Sequence, residues 1–141
     1  MHQGSCLCGA IKYRVDDDLN SIVNCHCQYC RKAHGAEFIP IAIIPQSSLV
    51  ITQGSELVSK YEVEAVNAFR CFCCQCGTRL YNHSPTFEMM TLITATLNDA
   101  TNLKPIANIN MESSNPNFVQ FNNLPFFEAL AEMSELRELK N

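Results

Sequence analysis

The sequence has no tryptophan, only five glycines in 141 residues, and charged side chains at just 17%. It lacks a basic run, and Lys+Arg number 10 against 14 Asp+Glu, for a formal charge of −4. That mildly acidic balance argues against nucleic acid as a partner. No stretch approaches the roughly 20 apolar residues of a membrane span. Met1-His2-Gln3-Gly4-Ser5-Cys6 is followed by no apolar run, so a secretory signal is not expected. The expected location is the cytoplasm, where thiols stay reduced. Disorder is excluded as well, since hydrophobic residues make up 47%. At this length a single domain over residues 1–141 is expected, with its oligomeric state open between monomer and homodimer.

Cysteine is abundant. Nine are present: Cys6 and Cys8; Cys25, Cys27 and Cys30; Cys71, Cys73, Cys74 and Cys76. An odd number cannot pair completely, and a C-x-C pair closes too small a ring for a good disulfide. Two groups carry the C-x-x-C spacing, in which a tight turn aims two thiolates at one cation. Thiolate-rich tetrahedral sites favour Zn²⁺ or an iron–sulfur cluster.

Alternation of apolar and polar residues reads Gly4 to Val15 as a strand, and Ser21 to Cys27 as a second that ends on the middle cysteines. Gln28 to His34 reads as one or two helical turns stopped by Gly35. Further strands are expected at Glu37 to Ile44, Leu49 to Thr52, Leu57 to Val63, Ala68 to Cys73, Gly77 to Tyr81, Met89 to Leu97 and Ile106 to Met111. Glu112 to Asn123 is turn-rich, and Phe127 to Leu139 has the pattern of a terminal helix docked through Phe126 and Phe127.

Cys6-Leu7-Cys8-Gly9 and Cys73-Cys74-Gln75-Cys76-Gly77 both end on a glycine, which supplies the left-handed backbone of a metal knuckle. Two plus two ligands make a closed, structural Cys₄ zinc site that staples the first strand to the middle of the chain. The middle group, Cys25-His26-Cys27-Gln28-Tyr29-Cys30, offers three thiols, and a zinc on three protein ligands keeps an open position. Alternatively His26, Cys71 or Cys74 fills the fourth place, and the site is a second staple. Cys71 shares a strand face with Cys73, although both Cys71 and Cys74 also fit as small core residues. Phe38 and Tyr61 are expected in the core, and His34 at the surface.

These residues resemble the glutathione-dependent formaldehyde-activating enzymes, a family that includes centromere protein V-like proteins. The likeness lies in Gly4-Ser5-Cys6-Leu7-Cys8-Gly9-Ala10-Ile11-Lys12-Tyr13, Cys25-His26-Cys27-Gln28-Tyr29-Cys30-Arg31-Lys32 and Phe72-Cys73-Cys74-Gln75-Cys76-Gly77-Thr78, and covers roughly residues 4–82. It implies a mainly β fold: a zinc-stapled β-tent of antiparallel sheets, with a short C-terminal helix. It implies two zincs, a structural one on Cys6, Cys8, Cys73 and Cys76 and a catalytic one on Cys25, Cys27 and Cys30. The second is the more easily lost, having three ligands.

The implied activity is that of a carbon–sulfur lyase acting on the glutathione, or related thiol, adduct of formaldehyde or another small aldehyde. Glutathione is anionic, so Arg31 and Lys32 are the expected substrate contacts, with Arg70 and Arg79 as further cations. Two other classes fit the residues: a non-catalytic zinc-binding protein-interaction module, and a thiol or zinc sensor using Cys71 and Cys74. The family often has a histidine where this chain has Asn108, and an aromatic residue near Phe118. An asparagine cannot carry a proton at neutral pH.

Overall fold

Glycine and cysteine divide the first expected strand in two. The computed structural model, which describes residues 1–99 and 102–118, has β1 at His2–Ser5 and β2 at Lys12–Val15, joined by the turn that holds Cys6 and Cys8. Strands β3 (Ile22–Cys25), β4 (Ile39–Pro45), β5 (Leu49–Gln53), β6 (Val58–Val63), β7 (Ala68–Cys73), β8 (Arg79–His83), β9 (Met89–Ile93) and β10 (Ala107–Ile109) follow, with one α-helix, α1, at Gln28–His34. The expected terminal helix and its Phe126-Phe127 dock lie outside the described residues.

A three-stranded sheet has the order β1-β2-β5, and a seven-stranded sheet the order β10-β3-β4-β9-β8-β7-β6. Pairing is antiparallel except where β10 runs parallel to β3. No helix among the described residues is long and apolar enough to cross a membrane.

Successive side chains on a strand point to opposite faces, and the large sheet uses this to separate two cores. Ile22, Ala42, Ile44, Met90 and Leu92 pack on one face with Tyr13, Val15, Leu80, Cys6 and Cys73. Val23, Ile39, Ile41 and Ile93 pack on the other with Cys25 and Cys30. The two cysteine groups therefore occupy opposite sides of one sheet.

Position in the sheet overturns two packing expectations. Tyr61 is not a core residue: it lies on the edge strand β6 and is 64% exposed. Cys74 follows the end of β7 and is exposed, whereas Cys71, inside β7, is buried as expected.

Candidate metal centres and the hollow beside them

The two glycine-ended turns have matching backbones. Cys6 N–H donates to the Ile11 carbonyl at 3.1 Å and Cys73 N–H to that of Thr78 at 3.0 Å. Gly9 N–H returns to Cys6 and Gly77 N–H to Cys73, at 3.0 and 2.9 Å. Both glycines have φ of +73°, a left-handed conformation that a side chain would strain. The turns bring Cys6, Cys8, Cys73 and Cys76 together, with Sγ–Sγ distances of 3.5 Å for Cys6–Cys8 and 3.9 Å for Cys8–Cys73. Four thiolates each 2.3 Å from a tetrahedral zinc stand about 3.8 Å apart, so the donor set fits that ion.

The second group gathers Cys25 at the end of β3, Cys27 at the N-cap of α1, and Cys30 in its first turn. Cys27 Sγ accepts from the Cys30 N–H at 3.3 Å, which starts the helix, and Gly35 in the left-handed conformation ends it. The three Sγ atoms lie within 4.8 Å of one another, again a set that one ion can join. No fourth cysteine, histidine or carboxylate ligand atom completes this group among the described residues. His26 instead stacks on Phe38, with ring centroids 5.1 Å apart, and its Nε2 lies 3.4 Å from Asn108 Oδ1.

Polar groups surround these sulfurs. Asn110 Nδ2 donates to Cys25 Sγ at 3.3 Å, and Arg70 Nη1 to Cys30 Sγ at 3.8 Å. The Cys25 thiol is pulled down to about 5, chiefly by its hydrogen bond with Cys30, with help from the Cys27 N–H and Asn110 against the effect of burial. Cys30 is pushed up in turn, first by Cys25 and then by burial. Asn110 escaped the reading of the sequence; it reaches Cys25 because β10 joins β3 in parallel register, with Ile109 opposite Cys25.

The expected substrate contacts, Arg31 and Lys32, share one surface depression, and Lys32 also reaches a second hollow. Arg31 pairs with Glu37 at 3.5 Å and turns to a shallow depression at the end of α1. Lys32 lines that depression and also a hollow of about 310 Å³ on the three-thiol face, which Tyr29, Tyr61, Arg70 and Arg79 share.

The sheet explains this gathering. Tyr61, Arg70 and Asn82 stand opposite one another across β6, β7 and β8 and so project from one face. Arg79 joins them through a slip in register: Tyr81 pairs with Cys71 but Arg79, not Leu80, pairs with Phe72. The extra residue, Leu80, stays in the core on the far face, and the bulge re-aims Arg79 to the Arg70 side. His34, expected at the surface, is half-buried, and its ring is pulled down to about 4 by burial and by the charges of Arg79 and Arg70.

Comparison with known proteins agrees with these features. The family described as glutathione-dependent formaldehyde-activating enzyme matches residues 1–113. A Halomonas elongata protein named "Putative glutathione-dependent formaldehyde-activating enzyme" is 27% identical over 124 residues, covering 84% of this chain and 79% of its own. An uncharacterized lyase of Schizosaccharomyces pombe is 32% identical over 80 residues, covering 57% of this chain and 56% of its own. The crystal structure of a Rhodobacter sphaeroides protein shares the fold, with a TM-score of 0.63 at 22% identity over 75% of this chain and 98% of that one. With more than three-quarters of its length matched, and both cysteine groups assembled inside the match, the chain belongs to the glutathione-dependent formaldehyde-activating enzyme family.

Proposed function

We propose that the protein is a zinc-dependent carbon–sulfur lyase acting on the glutathione, or related thiol, adduct of formaldehyde or another small aldehyde. In this reading Cys6, Cys8, Cys73 and Cys76 hold a structural zinc, and Cys25, Cys27 and Cys30 hold the zinc at which the reaction occurs. The single observation that carries it is the unequal ligand count of the two groups, four thiols against three.

In the forward direction sulfur adds to the aldehyde carbon, a carbon–sulfur bond forms, and the thiol proton ends on the former carbonyl oxygen. The reverse direction breaks that bond. A zinc held by Cys25, Cys27 and Cys30 would supply Lewis acidity, stabilising a substrate thiolate or polarising an aldehyde oxygen. The chain's own residues fix the donors: Asn110 bonds Cys25, and Arg70 lies against Cys30 and offsets thiolate charge. Asn108, at the family's histidine place, accepts from Asn24 at 3.0 Å. It holds this wall of the site and transfers no proton. A reducing compartment such as the cytoplasm keeps such thiols available.

The sensor reading, which needs Cys71 and Cys74, finds less support: Cys74 is exposed, but Cys71 is buried and burial pushes its thiol up, away from the reactive thiolate. The test is magnetisation-exchange NMR of formaldehyde and glutathione with zinc-loaded protein. The wild type is expected to accelerate exchange above the uncatalysed rate, and Cys27→Ser to return it to that rate while keeping the β-sheet circular dichroism signal. Equal exchange rates with wild type, variant and buffer would remove the lyase reading.

A further inference from the structure

The large sheet leaves one long edge open. Its order ends at β6, a six-residue strand that pairs with β7 on one side and has no strand beyond it among the described residues. The opposite edge strand, β10, is three residues long, and the outer side of β1 is bonded by Leu97 and Asn98. The β6–β7 register runs from Val58–Cys73 to Val63–Ala68 without a slip, and β6 contains neither proline nor glycine. A straight edge of this kind is a template for another strand.

Two hydrogen bonds fix where its free backbone groups point. Cys74 N–H donates to the Leu57 carbonyl at 2.9 Å, while Cys73 N–H turns away from β6 to Thr78 at 3.0 Å. Bonded and non-bonded pairs alternate along an antiparallel ladder, so Ser59, Tyr61 and Val63 bond to β7. The N–H and C=O groups of Val58, Lys60 and Glu62 therefore point to the open side. Lys60, Tyr61 and Glu62 are all exposed, and neither charge forms an ion pair among the described residues. Lys60 Nζ lies instead 4.6 Å from the centre of the Phe69 ring, and Phe69 stands opposite Glu62. Both charges thus occupy one face at the rim of the sheet.

A second copy of the chain fits this edge in one register. Across a twofold axis residue i meets j and j meets i, and the outward-pointing groups must meet each other. Centring the pairing on Lys60 sets two ammonium groups opposite, and centring it on Glu62 sets two carboxylates opposite; like charges there are destabilising. Centred on Tyr61, the pairing sets Lys60 of each copy against Glu62 of the other. The two Tyr61 residues then form a close, non-hydrogen-bonded pair on the other face.

We propose that β6 is a self-pairing interface, through which two copies of this chain join antiparallel about a twofold axis at Tyr61. Two seven-stranded sheets then become one of fourteen. Directly opposed side chains project to the same face, so both three-thiol groups lie on one side of the joined sheet. Tyr61 lines the hollow of about 310 Å³ on that side, and the second copy adds its own Tyr61 to the rim. The interface stands apart from the lyase reading and needs no turnover to test.

Sedimentation equilibrium of the full-length, zinc-loaded protein provides the test. The wild type is expected as a dimer of two 15.8 kDa chains. Lys60→Glu and Glu62→Lys each put like charges into both cross-strand contacts, and each should weaken the dimer about tenfold or more. An equimolar mixture of these two variants restores opposite charges across the axis, as does the double variant Lys60→Glu/Glu62→Lys, and both should associate again. Recovery in the mixture also shows that each single variant is folded. Hydrogen exchange should find the Lys60 and Glu62 N–H groups protected in the dimer and open in the single variants.

A wild type that stays monomeric up to its solubility overturns the proposal, whether the edge is then bare or held by another segment of this chain. A dimer that neither single variant weakens uses a different surface and overturns it as well. Weakening without recovery in the mixture and the double variant rejects the Tyr61-centred register, and the proposal with it.

Discussion

His34 shows how far a neighbourhood can change one side chain. Its ring lies four residues beyond Cys30 on α1, half-buried against two guanidiniums that disfavour its charged form. The folded state holds its pKa near 4, against about 6.5 in an unfolded chain. Below about pH 6.5 the unfolded chain therefore binds a proton that the folded chain refuses. Stability from this group is complete above that pH and is lost as pH falls through the window from about 6.5 to 4. With its partial exposure discounted, the loss is about 1–2 kcal/mol. Urea unfolding at several pH values should show His34→Gln losing less stability than wild type across this window, with the difference flat above pH 7. Parallel curves would show that folding leaves the ring's affinity for a proton unchanged.

At the level of elements, the pairing of β1 and β2 leaves no room for a side chain at one position. Gly4 faces Tyr13 in the pair, and an added Cβ would overlap the phenol ring and stand 2.6 Å from the Thr96 carbonyl oxygen. Tyr13 cannot withdraw, because it is buried and its hydroxyl bonds Thr96 Oγ1 at 2.6 Å. Gly4→Ala should cost about 3 kcal/mol and lower the melting temperature of the zinc-loaded protein by ten degrees or more. A loss of only a degree or two would mean that the strands separate easily here.

Elements also mark what a sequence can disclose. The bounds of α1 are legible because the cysteine turn starts it and Gly35 stops it locally. Both thiol groups are legible because spacing and glycine act within a few residues. Tyr61 was misplaced because an edge position belongs to the sheet order and not to the strand's own pattern. Asn110 depends on a parallel pairing between segments far apart in sequence. Arg79 depends on a bulge: simple alternation along β8 puts it with Tyr81, on the opposite face from Asn82, and only the slip at Leu80 sends it to the hollow.

Across the whole molecule, the two thiol groups stand in different relations to the fold. Cys25, Cys27 and Cys30 come from one short segment at the end of β3 and the start of α1, so an ion there closes only a local loop. The other group joins the β1–β2 turn of the small sheet to the end of β7 in the large one. Metal removal should accordingly proceed in two stages. With the protein loaded with zinc and a chromogenic chelator added, a first ion should leave with the far-ultraviolet circular dichroism unchanged, and a second should leave with loss of sheet signal. Release of both in a single step, together with the sheet signal, would show that the groups are not independent.

Cys8 and Cys73 are 65 positions apart, yet their sulfurs are 3.9 Å from each other. Once an ion joins them, the first half of the chain is a closed ring, and α1 with the three-thiol group lies inside it. A cut in the exposed turn at residues 64–66 would then release no fragment, since both pieces stay tied to the same ion. Along this half of the protein, coordination duplicates the continuity that the peptide backbone provides.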